Sequence, residues 1–177
     1  MQKDVDPQKI VVYLNFEDVQ DVVSLVDGFT DYDFHIYSSK IKEIQDLGHL
    51  KLKPTSSLFK HDIETCAGII CGAGFELPTE ALYMGKKILV KAMDGQPEQK
   101  SNALALKQLG LGDVMARLDP EDVKLWLEKP QGPRVVYPDT ADVFARWIME
   151  GQREPARDMA RGLWKGIPGM EHIKRYL

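Results

Sequence analysis

The turn Gly72-Ala73-Gly74 follows the apolar run Gly68 to Cys71 and precedes a segment of helical spacing. Glycines in that position let a backbone come close to a ligand, and the free N–H groups of the next helix, with its dipole, favour a phosphate. A tight turn that needs positive φ would use the same two residues, so the letters alone leave both readings open. A dinucleotide fingerprint would place Gly or Ala at position 77, where this chain has Leu77, and would follow the first strand, so NAD is disfavoured. A P-loop would need Gly-Lys-Ser or Gly-Lys-Thr ahead of a helix. Gly85-Lys86-Lys87 lacks the hydroxyl and follows a helix, which excludes that ATP chemistry.

Other reactive side chains do not group into a site. Asp31-Tyr32-Asp33 copies a metal-binding D-x-D pattern but precedes a strand, and reads better as a turn closing a helix. No cluster has metal-ligand spacing, so no metal is expected. His35, His49, His61 and His172 are scattered and read as surface or packing residues. Trp126, Trp147 and Trp164 read as core or interface anchors. No catalytic residue can be named from these patterns.

The elements that must position the turn alternate regularly. Lys9 to Leu14 is β-branched and apolar without alternation, as in a strand buried on both faces of a parallel sheet. Glu17 to Val26 has Val19, Val22, Val23 and Val26 at helical spacing, closed by Gly28. The alternation continues with a strand at Phe34 to Tyr37, a helix at Lys42 to Leu47, a strand at Leu50 to Lys53 and a helix at Leu58 to Glu64. It resumes with the strand Gly68 to Cys71, a helix at Pro78 to Met84, the strand Ile88 to Val90 and a helix from Pro97 to Leu109. Helices at Pro120 to Leu127, Asp139 to Met149 and Gln152 to Lys165 follow, with an apolar piece at Val135 to Tyr137. Such order implies an α/β fold: a Rossmann-like three-layer sandwich with a mostly parallel twisted sheet, whose ligand sits at the carboxyl ends of the strands. The expected organisation is a flexible lead over residues 1–8, one domain over 9–150 and a helical tail over 151–177.

Bulk properties narrow the function classes. The 177 residues carry 23 Lys and Arg against 27 Asp and Glu, a net charge of -4 with no concentrated basic face, so nucleic acid is not an expected partner. Cys66 and Cys71 lie in an apolar stretch unsuited to a secretory disulfide framework, which fits a reducing cytoplasm. The longest apolar runs are too short for a transmembrane segment.

The run ICGAGFELPTEALYMGKKILVKAMDGQPEQKSNALALKQLGLG, from Ile70 to Gly112, resembles the donor-binding segment of GT-B glycosyltransferases. It is most similar to a bacterial and archaeal set with G-F-x-L-x-[ST]-E-A-L, then G-Q-x-E-Q, then N-A; VVYLNFED and DFHIY extend the resemblance back to Ile10. The resemblance implies the C-terminal half of such an enzyme, in which Gly72, Ala73, Gly74 and Phe75 present backbone donors to a diphosphate. Glu80 would match the acid that accepts from the ribose hydroxyls; its alternative is a solvated acid near a helix N-terminus. Gln96 and Gln99 would match the amides that reach the transferred sugar, against helix capping by Gln96 and a surface amide at Gln99. Asn102, on the face of Gln99, would support it or tie down a loop. Lys53, within Leu52-Lys53-Pro54, would meet the nucleobase edge through backbone groups, and the loop Asn15-Phe16-Glu17 would close over the phosphates. Ala92 stands where the family usually has Pro, and Pro97 where it has an aromatic residue, which leaves sugar identity open.

The implied function is transfer of a hexosyl group from a nucleoside-diphosphate sugar, UDP-linked by expectation, without a metal and with the nucleotide-sugar as substrate, no cofactor being expected. Half of a nucleotide-sugar 2-epimerase, or a non-catalytic nucleotide-sugar-binding module, are the alternatives. One Rossmann-like unit is half of a GT-B enzyme, so a truncated domain is expected, with an N-terminal acceptor domain or partner subunit completing it. The apolar face of the tail, with Trp164 and Ile167, offers a homodimer contact.

Overall fold

The computed structural model describes residues 4–55, 58–151 and 154–164. The chain divides into two compact units, residues 1–133 and 134–177.

The first unit is built on a seven-stranded sheet. Its strands are β1 (Asp6–Tyr13), β2 (Asp33–Tyr37), β3 (Gln45–Asp46), β4 (Leu50–Lys53), β5 (Cys66–Gly72), β6 (Lys87–Lys91) and β7 (Asp113–Val114), in the spatial order β3-β4-β2-β1-β5-β6-β7. Every pairing is parallel except β3 with β4. β1 begins at Asp6, inside the stretch the sequence suggests as a lead. The helices are α1 (Val19–Val26), α2 (Leu58–Thr65), α3 (Glu76–Tyr83), α4 (Pro97–Gln108) and α5 (Pro120–Leu127).

Period-two alternation sorts the strand side chains between two layers. Ile10, Val12, Leu14, Phe34, Ile36, Leu50, Leu52, Ile70 and Leu89 share one core with Val22, Leu25 and Val26 of α1 and Val123, Trp126 and Leu127 of α5. On the opposite face Tyr13 and Tyr37 pack against Phe59 of α2, with ring centroids 5.1 and 4.9 Å away. From β1 the chain moves through α1 to β2 on one side, and from β5 through α3 to β6 on the other. Crossovers of one hand therefore set α1 and α3 on opposite faces. Each buried aliphatic side chain contributes about 1.5–3 kcal/mol.

Local signals explain the boundaries. Asp18 caps α1 by accepting from the Gln20 amide at 2.9 Å, and Asp119 caps α5 by accepting from Glu121 at 3.0 Å. Gly85 and Gly110 take positive φ just after α3 and α4. Lys86 and Lys87 cap two helix C-termini: Lys86 Nζ donates to the carbonyls of Glu64 and Cys66 at 2.9 and 2.7 Å, and Lys87 Nζ to Leu127 at 2.8 Å.

One reading from sequence is corrected. Lys42 to Leu47 is not a helix: Gln45 and Asp46 pair antiparallel with β4, in a hairpin closed at Gly48, whose φ is 81°. So short a segment cannot nucleate a helix alone, and Ile44 and Leu47, both exposed, have no core to face. β7 was not legible, because two residues carry no periodicity; Gly112 sits so close to Ile88 that a Cβ there would lie 2.6 Å from Ile88 Cγ1. The apolar piece at Val135 to Tyr137 forms no regular element.

In the second unit α6 (Thr140–Met149) starts at an Asp139 cap, and α7 (Ala156–Trp164) follows. Trp147 Nε1 donates to the Glu154 carbonyl at 2.9 Å, joining the two helices, and its ring meets Phe144 edge-on. Ile167 of the expected tail contact lies outside the described residues. Among the described residues, no helix is long and apolar enough to cross a membrane.

Candidate functional site

The sheet changes direction between β1 and β5. Connections run one way from β1 and the other way from β5, so the loops leaving these strands splay apart at their carboxyl ends. Between them lies a cleft of about 320 Å³. The loop after β1 contributes Asn15, Phe16 and Glu17; the β5–α3 turn contributes Gly72, Gly74 and Phe75; Lys91 and Gln99 come from the end of β6 and from α4.

The glycine turn is anchored from below. The Ala73 amide donates to the Lys91 carbonyl at 3.0 Å, and its carbonyl accepts from Asn102 Nδ2 at 3.2 Å. Ala73 is buried, with its N–H already committed, so it holds the turn instead of facing the cleft. Gly72 and Gly74 are not among the positive-φ glycines. A Cβ on Gly72 would find only Gln99 Oε1 at 3.9 Å, and one on Gly74 nothing within 4 Å. Neither backbone conformation nor internal packing requires glycine here; what the missing side chains preserve is open space above the turn. Helix α3 begins at Glu76 with Phe75 at its N-cap and no side-chain cap, so its first amides have no capping oxygen. The acidic Glu76 in that first turn also lines the cleft.

The other candidates fall into two groups. Gln99 lines the cleft, with Oε1 accepting from the Met93 amide at 2.9 Å, which leaves its Nε2 as the donor end. Asn15 also lines it, and its Oδ1 accepts from the Ser39 amide and hydroxyl, both at 3.0 Å. Gln96 is exposed at the N-cap of α4 without a side-chain cap bond, and is not a cleft-lining residue. Glu80 is exposed on α3 one helical turn beyond Glu76, also outside the lining. Asn102 holds the glycine turn, the loop-tying one of its two alternatives.

Lys53 is committed elsewhere. Its Nζ donates to Asp62 Oδ2 at 2.7 Å, and the same oxygen accepts from the Tyr37 hydroxyl at 2.6 Å and lies 2.7 Å from His35 Nδ1. Lys9 Nζ reaches Asp62 Oδ1 at 3.4 Å and Thr65 Oγ1 at 3.0 Å. Burial alone would raise the Asp62 pKa, but the hydrogen bonds from His35, Lys53 and Tyr37 outweigh it and hold the carboxyl well below the usual range. Burial, reinforced by Asp62, pushes the Tyr37 phenol up. No motif in the sequence marks a carboxylate partner for His35; Asp62 reaches it from α2 only through the fold. The Lys53 carbonyl accepts from the Ser38 amide at 3.3 Å.

Burial pushes the thiols of Cys66 and Cys71 up to about 11 and 12; both are free and buried within β5. Asp33 of the D-x-D pattern lies in β2 and pairs with Lys51 Nζ at 2.9 Å. Lys91 and Glu17 form an ion pair inside the cleft at 2.7 Å. No motif marks Lys91: it closes an apolar strand, and only the register of β6 with β5 brings it beside Gly72.

Residues 2–130 match the model of a family described as glycosyl transferase family 1. No curated protein matches the chain. Among solved structures it is similar to the glycosyltransferase SnogD from Streptomyces nogalater, with 21% identity and a TM-score of 0.55 over 87% of this chain and 41% of that one. It is also similar to the spinosyn forosaminyltransferase SpnP, with 14% identity and a TM-score of 0.54 over 72% of this chain and 37% of that one. The glycotransferase of kitacinnamycin aligns at 14% identity and a TM-score of 0.53, over 70% of this chain and 34% of that one. The chain thus spans 34–41% of the length of these structures, and at such identities the likeness is one of fold.

Proposed function

Since the chain belongs to glycosyl transferase family 1 and has the Rossmann-like fold of GT-B glycosyltransferases, we propose that its cleft between β1 and β5 binds the diphosphate of a nucleotide-sugar donor. The observation that carries this reading is the glycine turn. Gly72 and Gly74 sit at the switch point of the sheet, line the cleft, and are demanded neither by φ nor by packing. A phosphate oxygen drawn to the uncapped amides at the start of α3 needs that open space.

Around the diphosphate the other groups take their parts. The Nε2 end of Gln99 faces hydroxyls of the sugar, with Gln96 beside it on the approach to α4. Glu80 accepts from the ribose. The exposed rings of Phe16 and Phe75 offer an apolar face to a flat base, and the segment at Lys53 meets its edge. In this reading the reaction is displacement of the nucleoside diphosphate, UDP in the simplest case, by an acceptor hydroxyl that receives the hexosyl group. Backbone amides at α3 stabilise the charge on the departing phosphate. The acceptor and its base come from a second Rossmann-like unit, so this chain supplies donor binding and leaving-group stabilisation and does not turn over alone.

Calorimetric titration with UDP, GDP, dTDP and their sugars tests the proposal. Saturable binding of at least one, weakened by Glu80→Ala, is expected. Failure to bind any of them contradicts the donor site, and full affinity in Glu80→Ala contradicts the ribose assignment alone.

A further inference from the structure

Lys91 ends β6 inside the cleft, its side chain 8% exposed, with Nζ 2.7 Å from Glu17 Oε1. It is a junction of the site. Its carbonyl accepts the Ala73 amide at 3.0 Å, and Gly72 is its register partner on β5. Lys91 lines the same cleft as Gly72 and Gly74, while Glu17 belongs to the loop leaving β1.

The backbone of that loop is fixed without the Glu17 carboxylate. The Glu17 amide donates to the Leu14 carbonyl at 2.9 Å, the Glu17 carbonyl accepts from Lys40 Nζ at 2.8 Å, and Asn15 is tied to Ser39. What the carboxylate does is neutralise Lys91. A nearly buried ammonium requires an anion close by, and Glu17 supplies it. Among the described residues that line the cleft Lys91 is the one cation, and Glu17 and Glu76 are the acids.

Resting on the nucleotide-sugar reading, we propose that Glu17 is a stand-in anion which the donor's diphosphate displaces from Lys91. Lys91 is then a phosphate-binding residue, and Glu17 a built-in competitor that sets affinity. The exchange keeps charges matched: Lys91 passes from carboxylate to phosphate oxygen, and the Glu17 side chain, already 23% exposed, rotates into solvent. Because the ligand must first part the pair, apparent affinity is lowered by the fraction of molecules in which Lys91 is free.

This reverses the sign expected of an ordinary structural pair. The full chain is titrated with inorganic pyrophosphate and with UDP, GDP and dTDP, in wild type, Glu17→Gln and Lys91→Met, with melting temperatures measured without ligand. Glu17→Gln is expected to tighten pyrophosphate binding about threefold to tenfold. Lys91→Met is expected to weaken it at least about tenfold, the loss of one charge-assisted hydrogen bond. Equal or weaker binding by Glu17→Gln overturns the exchange while leaving the donor site standing, provided wild type binds. Unchanged binding by a folded Lys91→Met overturns the role of Lys91. Absence of binding by wild type to every probe overturns the donor reading and this inference with it. Lys91→Arg, which keeps the charge, separates loss of the cation from misfolding: restored binding supports the proposal, and continued loss in a folded protein contradicts it.

Discussion

Asn102 Nδ2 donates to the carbonyl of Ala73 across 3.2 Å, so helix α4 holds the underside of the turn whose upper side faces the cleft. The amide of Ala73 is meanwhile taken by the Lys91 carbonyl. Both polar groups of the middle residue are thus satisfied by protein, and the flanking glycines are held in place before any ligand arrives, the kind of preorganisation that lowers the cost of binding. Asn102→Ala leaves that carbonyl without its partner and the turn looser. We expect a stability loss of about 0.5–1.5 kcal/mol in denaturant unfolding and weaker nucleotide binding in calorimetry. Unchanged values for both would show that the contact does not hold the turn.

The glycines divide into two classes by what a Cβ would meet. Gly74→Ala finds nothing within 4 Å and no positive φ, so the melting temperature should stay within the change caused by about 0.5 kcal/mol while nucleoside-diphosphate affinity falls. Gly68→Ala would set its Cβ 2.8 Å from Trp126 Cη2 and should destabilise by about 1–3 kcal/mol. Thermal unfolding of the two variants side by side checks the contrast, and equal losses would contradict it.

Asp62 balances the cations around it from a position 5% exposed. Asp62→Ala strands Lys9 and Lys53 without their acid and should cost about 3–5 kcal/mol at neutral pH. Since the folded carboxyl titrates below the unfolded value of about 3.9, its stabilisation is full above that pH and is lost as pH falls through the lower folded value. The gap between wild type and Asp62→Ala should therefore be constant from pH 7 to about 5 and shrink only under stronger acid. Urea unfolding at a series of pH values measures it; a gap that shrinks on raising the pH would contradict the sign.

Much of this is legible in the sequence. The buried runs at Ile10, Phe34, Ile69 and Ile88 and the helical spacing between them establish the parallel sheet, because burial on both faces leaves a continuous apolar signature. That Gly72 and Gly74 line a cleft is legible because a turn after a buried strand stands where such a sheet opens. The place of Gln99 at the cleft is legible only through the resemblance. Three things were hidden. The hairpin at Gln45 and Asp46 is decided by its pairing with β4, not by local preference. The Lys53 side chain turns to Asp62, a partner nine residues on in sequence that only the packing of α2 brings near. Lys91 carries no motif, and its meeting with Glu17 spans 74 residues.

The Lys87 side chain offers a control remote from the cleft. Its Nζ caps the end of α5 and lies 5.0 Å from the centre of the Trp126 ring. Lys87→Met keeps the aliphatic stem but loses the cap and the cation–π contact, and should lower stability by about 1–2 kcal/mol without changing nucleotide affinity. Melting and binding measured on one preparation check it; a change in affinity would show that the two ends of the sheet are coupled.

The central claim is that a diphosphate lies against the amides at the mouth of β5. The most direct measurement is an amide-resolved titration of the isotopically labelled chain with UDP, GDP and dTDP by nuclear magnetic resonance. For at least one nucleotide, saturable shifts should be largest at Gly72 and from Gly74 to Leu77, with smaller ones at Asn15 to Glu17 and Met93. No saturable shift with any of the three, or shifts confined to residues away from the β1–β5 cleft, would contradict the account.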